Sequence, residues 1–127
     1  MKKYELLKNN AKMINDHKVY RIRALIDFND VKAGDLGGYV EKYENLSHEG
    51  NAWIYDDAVA YEDAQIFADA VLKNEAIARG ETLICGQATV KGSAVITELA
   101  RVTGDTVVTG HAVVGGRTVL FDDAYIC

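Results

Sequence analysis

Histidine is the side chain of this sequence best suited to act as a catalytic base, and the chain has three of them, His17, His48 and His111. His111 stands in the six-residue block GHAVVG, and His48 stands just before a long run of such blocks. In acyl transfer, an imidazole takes the proton of the attacking hydroxyl or amine, so these two are the candidate bases. The alternative is that each is a surface histidine, because no carboxylate that would orient the ring is evident beside it.

Four aromatic residues at the start of the run of blocks offer a second kind of chemistry. Trp53 takes the fourth place of its block, and Tyr55, Tyr61 and Phe67 take the sixth place of three successive blocks. Such rings stack on the flat base or ring of a ligand, which makes the four residues ligand-stacking candidates. The interpretation we favour is that they pack beneath a cap at the end of the fold.

These residues are positioned by a six-residue repeat that runs without interruption from Gly50 to Cys127, in thirteen blocks. The third place holds Ala or Thr, and the fifth place is always apolar. Alternate side chains of a strand point to opposite faces, so the third and fifth places share the buried face. Gly, Asp, Glu and Asn dominate the first two places, and they tolerate tight corners. Each block is therefore predicted to be one short strand and one turn.

The direction of the repeat predicts a coil rather than a series of hairpins. A hairpin reversal would mirror the buried pattern of the preceding block, whereas every block here reads small then aliphatic in the same direction. Three equivalent corners give a triangular coil of about 18 residues per turn, stacked by parallel pairing. The predicted fold is all-β: a single-stranded parallel β-helix with three six-residue sides per coil and about four coils.

Residues 1–49 precede the regular repeat and are predicted to form an N-terminal β-hairpin cap. The segments KYELL and KVYRIRALI have strand composition, and the turn-forming NDHK lies between them. The end of a solenoid exposes unpaired backbone and an apolar interior, so an atypical cap is expected there. The predicted organisation is a cap region, 1–49, followed by a β-helix, 50–127.

The spacing A-x-V-x-G-x, intact in GSAVIT and GHAVVG, resembles the hexapeptide-repeat superfamily, best known for acyltransferases. The stretch 19–58 is similar to the lead-in of small hexapeptide-repeat proteins of bacterial and phage genomes. The resemblance implies a left-handed coil and a trimer as the default oligomer. Family acyltransferases usually also carry a loop that projects from the coil, and residues 50–127 have none.

The outward-facing fourth places predict an interface. Stacking every third block places Val59, Ile77, Val95 and Val113 in one apolar ladder on one wall of the coil. Outward Val and Ile also suit a strand by themselves, but an uncharged patch of this kind usually marks a contact surface. We expect the N-terminal hairpin or a second subunit to cover the ladder, the latter giving a homo-oligomer, dimer or trimer.

The block ELARVT, on another wall, departs from the repeat pattern. Leu99 occupies a second place that is polar or charged in every other block, and Arg101 points outward beside it. A lone apolar residue next to a cation on an otherwise polar column is a candidate contact. Leu99 and Arg101 are therefore added to the predicted interface residues.

Charge and composition limit the partners. The formal net charge is −5, and residues 50–127 alone carry five Lys and Arg against eleven Asp and Glu. An acidic surface repels phosphate backbones, so no nucleic acid is expected. No apolar run approaches the roughly 20 residues that span a bilayer, so a cytoplasmic protein without membrane contact is expected. Three histidines, one of them outside the coil, make a three-histidine metal site unexpected.

Together these features favour a non-enzymatic binding protein that needs no cofactor. The similarity to phage proteins extends this to an accessory protein that binds a host protein or a small nucleotide to counter bacterial defence. The alternative is an acyl-CoA-dependent acyltransferase with its site between subunits. In that case His111 or His48 is the base, and acyl-CoA is the acyl donor.

Overall fold

A computed structural model describes residues 2–127 and shows an all-β chain wound into a parallel β-helix, which confirms the predicted fold. Three strands precede the regular coil: β1 (Tyr4–Ile14), β2 (His17–Ala24) and β3 (Leu36–Val40). One short 3-10 helix, Tyr43–Asn45, follows them. Each later strand is two residues long: β4 (Trp53–Ile54), β5 (Val59–Ala60), β6 (Gln65–Ile66), β7 (Val71–Leu72), β8 (Ile77–Ala78), β9 (Leu83–Ile84), β10 (Thr89–Val90), β11 (Val95–Ile96), β12 (Arg101–Val102), β13 (Val107–Val108), β14 (Val113–Val114), β15 (Val119–Leu120) and β16 (Tyr125–Ile126).

The two-residue strands stack into three parallel walls. The first wall contains β5, β8, β11 and β14, the second β4, β7, β10, β13 and β16, and the third β6, β9, β12 and β15. Pairing is in register, so that Val95 lies opposite Ile77 in the coil before it and Val113 in the coil after it. Among residues 2–127, no helix is long and apolar enough to cross a membrane.

Each corner of the coil is a residue with positive φ at the first place of its block. All thirteen first places have φ between 57° and 73°, seven of them glycine, which confirms the predicted turns. A Cβ on Gly86 would lie 2.7 Å from the backbone N of Gly104 in the next coil, so the stacked corners leave no room for one. Where a corner is not glycine, its side chain can bond to the next coil: Asp56 Oδ2 accepts from the backbone N–H of Asn74 at 3.0 Å.

Third- and fifth-place side chains fill the interior, as the repeat predicts. Ile96 is fully buried, while Val95, its neighbour in β11, is only half-buried and points outward. Because alternate residues of a strand face opposite sides, this difference fixes the register of the block.

The coil begins before Gly50. β3 pairs in parallel with β5, and Leu46 forms a parallel bridge with Ile66. Residues 36–54 therefore build a first, irregular coil above the regular ones, and the helix has about five coils where the repeat alone predicted about four.

The hairpin cap is confirmed, and it lies on the first wall. β1 pairs antiparallel with β2, and β2 pairs antiparallel with β3, so the hairpin extends the sheet of that wall by two strands. Val19 and Tyr39 pack against Val59, which is only 3% exposed. Val113, at the far end of the same ladder, is 67% exposed. The hairpin therefore covers the top of the predicted apolar ladder and leaves its lower end open.

Candidate functional site

A groove of about 520 Å³ lies where the turn of the hairpin meets one edge of the coil. Asn15 and Asp16, with φ of 47° and 68°, reverse the chain between β1 and β2, and this reversal brings the start of β2 to the coil edge. We call this site the hairpin–coil groove. It is lined by Asn15, His17, Tyr61, Glu62, Arg79, Gly80, Thr97 and Glu98.

His17 lies between two carboxylates in this groove. Its Nδ1 is 2.9 Å from Oε2 of Glu41, and its Nε2 is 3.4 Å from Oε2 of Glu62. The hydrogen bond with Glu41 raises the pKa of His17 above its ordinary value, and the charges of both carboxylates act in the same direction against a partial desolvation. The two carboxylates therefore stabilise the protonated form of the ring relative to a free imidazole.

Buried Asn45 holds the two carboxylate residues in place. Its Nδ2 donates to the carbonyl oxygens of Glu62 and Ala64, at 3.1 and 2.8 Å. Its Oδ1 accepts from the backbone N–H groups of Glu41 and Lys42, at 3.1 and 3.0 Å. Desolvation works to raise the pKa of Glu41, but hydrogen bonds from His17 and from the Glu62 backbone keep it below its ordinary value.

The coil side of the groove is a column of corner residues in which two positions, Glu62 and Glu98, are glutamate rather than glycine. Glu62 and Glu98 both have positive φ, 59° and 62°, a conformation that disfavours a side chain. Each uses its carboxylate to accept from a backbone N–H one coil further on, of Gly80 at 2.9 Å and of Gly116 at 2.7 Å. The bonds to the next coil offset the strain of the corner, and the same bonds fix carboxylates along the groove.

The groove carries more negative than positive groups. Glu62 and Glu98 line it and Glu41 borders it, whereas its basic groups are Arg79 and His17. Arg79 Nε donates to Oγ1 of Thr97 at 3.1 Å, which leaves the remaining N–H groups of the guanidinium available. Such a set repels phosphates and accepts a ligand that brings an ammonium or guanidinium group.

His48, one of the two histidines proposed as a base, lies in a second groove of about 410 Å³ beside the third wall. Its Nδ1 accepts from the backbone N–H of Lys3 at 3.0 Å, so the proton of the neutral ring is on Nε2. The ring stacks on Tyr4 with centroids 4.3 Å apart. Burial lowers the pKa of His48, and the charges of Lys3 and Lys2 lower it further. The ring is neutral, but its basic nitrogen is already occupied.

His111, the other proposed base, is exposed on a corner of the last coil and lines neither groove. His48 belongs to the first coil, so the structure does not bring the two together. His17 is the histidine that does meet carboxylates, and neither it nor its partners Glu41 and Glu62 were predicted as site residues. One signal for Glu62 was present, since glutamate at a left-handed corner suits the backbone poorly and indicates that its side chain is in use.

The four aromatic residues do not form one stacking platform. Trp53 is 1% exposed, with its ring edge-on to Phe28 and Tyr4 at centroid distances of 5.3 and 6.2 Å, so no face is open to a ligand. Tyr61 is equally buried, and its hydroxyl accepts from Nδ2 of Asn15 at 3.0 Å. The hairpin and lead-in cover both rings because they cap the open end of the coil.

The remaining two aromatic residues are half-buried and lie apart. The hydroxyl of Tyr55 donates to Oδ1 of Asp30 at 2.6 Å, which ties the lead-in to the coil. Phe67 lines the second groove with His48. Phe67 is thus the one of the four that offers a surface to a groove.

The predicted interface residues fall on two walls. On the first wall, Ile77 and Val95 are half-buried between the covered Val59 and the exposed Val113. On the third wall, Leu99 is 42% exposed and lines a groove of about 350 Å³ with Arg101. Within residues 2–127, no group of three or more His, Cys, Asp or Glu side chains is arranged to hold a metal ion.

Comparison with known proteins gives one short but clear similarity. Over 36 residues, 28% of the chain, the sequence is 53% identical to the uncharacterized acetyltransferase YdcK of Escherichia coli (strain K12). The matched stretch covers 11% of that protein's length, so the similarity concerns a small part of it. No protein-family model matches the chain.

Proposed function

We propose that this chain, a hexapeptide-repeat parallel β-helix protein, acts by binding a partner in the hairpin–coil groove rather than by catalysing a reaction. The observation that supports this is the state of His17, which lines the groove. Glu41 and Glu62 contact the two ring nitrogens at 2.9 and 3.4 Å, so neither nitrogen is free to take a proton from a substrate. An ion pair of this kind orders a binding surface.

The charge of the groove supports a partner with a basic group. Glu62 and Glu98 present carboxylates along the coil edge, and Arg79 offers spare donors beside them. A lysine or arginine side chain of a protein pairs with such carboxylates, whereas the phosphates of a nucleotide are repelled. Of the two partners considered for a phage accessory protein, a host protein is therefore favoured over a small nucleotide.

A photo-crosslinking amino acid placed at Thr97 tests this proposal in living Escherichia coli cells. Thr97 is half-buried in the groove, so a bound partner lies within reach of the crosslinker. The matched control is Thr103, the same sixth place of the next block on a different corner. We expect one protein adduct from position 97 that position 103 does not give. Identical adducts from both positions, or none, contradict the proposal.

A second candidate function is acyl transfer, and two observations favour it. The similarity to a protein named as an acetyltransferase is one of them. The other is the contact of His17 Nδ1 with Glu41, because a carboxylate on Nδ1 orients a neutral ring with Nε2 as the base. At a pH above the raised pKa of His17, this arrangement takes a proton from an amine or hydroxyl that attacks acetyl-CoA.

Calorimetry and acetyl-transfer assays separate the two functions. The acyltransferase proposal predicts acetyl-CoA binding, and transfer to an amine or hydroxyl acceptor that His17→Ala abolishes. The exposed His111→Ala is the matched control and should leave transfer unchanged. If acetyl-CoA gives neither heat nor product with a panel of acceptors, the acetyltransferase proposal is contradicted.

A further inference from the structure

The outer surface of the third wall changes its charge from one end to the other. Along the coil axis, the second places run from acidic to basic, and the fourth places alternate between polar and apolar, with a single charge at Arg101. We call these residues the third-wall surface. In coil order, the second-place column is Asp63, Glu81, Leu99 and Arg117, and the fourth-place column is Gln65, Leu83, Arg101 and Val119.

Three of the four charged groups of this surface lack ion-pair partners within the described residues, and the fourth, Asp63, pairs with Lys42 Nζ at 2.8 Å. Among residues 2–127, no ion pair forms at Glu81, Arg101 or Arg117. Two aliphatic side chains lie among these charged groups: Leu99 is 42% exposed and Val119 is 51% exposed. Exposed aliphatic side chains bordered by unpaired charges of both signs are typical of an association surface.

We propose that two copies of this chain associate through the third-wall surface in an antiparallel arrangement. The two-fold axis lies in the interface at right angles to the coil axis, so it reverses the order of the coils in the second copy. The acidic half of one surface then lies over the basic half of the other. Asp63 faces Arg117 of the second copy, and Glu81 lies within one coil, about 5 Å, of that same arginine.

Apolar residues meet at the centre of this arrangement. Leu83 and Leu99 belong to the two middle coils, so the two-fold axis brings each within one coil, about 5 Å, of its symmetry mate. Directly opposite, Leu99 meets Glu81 of the second copy and Leu83 meets Arg101 of the second copy. The self-complementary pattern is what an isologous interface requires, because each contact occurs twice. Charge pairing at the ends and aliphatic contact at the centre together fix the direction of packing.

Charge excludes the parallel arrangement on the same wall. A two-fold axis along the coil axis keeps each coil opposite its own copy, so Glu81 faces the acidic half and Arg117 faces the basic half of the second copy. Like charges brought together at an interface strongly disfavour association. The charge pattern therefore favours the antiparallel dimer. The surface that complements it is the same surface on a second copy of the chain.

Two double variants test this proposal by charge exchange. Arg101→Glu with Arg117→Glu makes the surface wholly acidic, and Asp63→Lys with Glu81→Lys makes it wholly basic. All four positions are exposed, so neither variant disturbs the core. We expect the wild type to be a dimer in analytical ultracentrifugation and each variant alone to dissociate, with a dissociation constant raised about a hundredfold. An equimolar mixture of the two variants should again form a dimer, because an acidic surface then meets a basic one.

The controls are charge reversals that lie off the third wall. Asp105→Lys, a second-place acid of the second wall, and Lys91→Glu, on a different corner, should keep the wild-type mass. The proposal is overturned by a wild type that stays monomeric at its highest soluble concentration, by a trimer, or by variants that remain dimers alone. A mixture that remains monomeric also overturns it.

Discussion

His17 Nδ1 lies 2.9 Å from Oε2 of Glu41, a residue 24 positions further along the chain. The contact joins the first residue of β2 to the residue that follows β3, so it forms only when the hairpin lies on the coil. The pKa of His17 therefore depends on the assembly of the hairpin–coil groove and can be used to detect it.

The imidazole of His17 should titrate above its ordinary pKa of about 6.5 in an NMR experiment. Glu41→Gln removes the charged partner and should bring the midpoint down toward 6.5. Glu44→Gln, an exposed glutamate three residues on, is the control and should not move it. The folded pKa of His17 is raised and that of Glu41 is lowered, so this pair stabilises the fold fully between about pH 4.5 and pH 6.5. The contribution is lost as the pH rises through the folded pKa of His17 or falls through that of Glu41. A midpoint that Glu41→Gln leaves unchanged contradicts the pairing.

His48 should have the opposite effect on stability. Burial lowers its pKa, so below about pH 6.5 the unfolded chain binds a proton that the folded chain resists, and acid destabilises the protein. His48→Asn keeps an acceptor for the Lys3 backbone but does not titrate. We expect the melting temperature of this variant to fall less than that of the wild type between pH 7.5 and pH 5.5. Equal losses for both proteins would show that His48 takes up its proton as readily in the folded state.

Ala68→Gly should stabilise the protein. Ala68 occupies a corner with a φ of 59° and, unlike Glu62, has no side chain that can bond to the next coil. Relief of the left-handed strain should exceed the added entropy of the unfolded chain, for a net gain of up to about 1 kcal/mol. Ala70→Gly, at a buried third place, is the matched control and should cost about 1 kcal/mol. Urea unfolding measures both, and a destabilised Ala68→Gly would argue against the corner geometry.

Ile96→Asp should prevent folding, whereas Val95→Asp should not. The two residues are neighbours in β11, but Ile96 is fully buried and Val95 faces outward. An unpaired carboxylate at Ile96 costs on the order of 4 kcal/mol or more, whereas at Val95 the cost is about 1 kcal/mol. Circular dichroism and thermal melts distinguish the two. A folded Ile96→Asp protein would refute the register of the whole repeat.

The regular coil could be predicted because the same pattern of residue types, with the same physical role at each place, recurs every six residues. The small third place, the aliphatic fifth place and the corner residues recur thirteen times, and the positive φ at every first place confirms the register derived from them. Even the mixed corners obey the rule, since Asn and Asp accept this conformation and Glu98 compensates for it through a bond to Gly116.

The lead-in and the site could not be predicted in the same way. Leu46 pairs with Ile66 at an offset of 20 residues rather than the 18 of the regular coil, and no period in residues 1–49 reveals that register. The meeting of His17 with Glu41 depends on the antiparallel register of the hairpin, which contains an irregularity between Leu7 and Ala11. Composition likewise does not tell which aromatic rings a cap covers, so the burial of Trp53 emerges only from the assembled structure.

The most direct test of the proposed binding function is affinity capture from an Escherichia coli lysate, quantified by mass spectrometry, with three forms of the protein. Thr97→Arg fills the hairpin–coil groove and adds a positive charge that repels a basic partner, and Thr103→Arg makes the same change on another corner. We predict a protein that the wild type and Thr103→Arg capture equally and that Thr97→Arg loses by tenfold or more, an effect of about 1.4 kcal/mol. Equal capture by all three forms would contradict a partner bound in this groove.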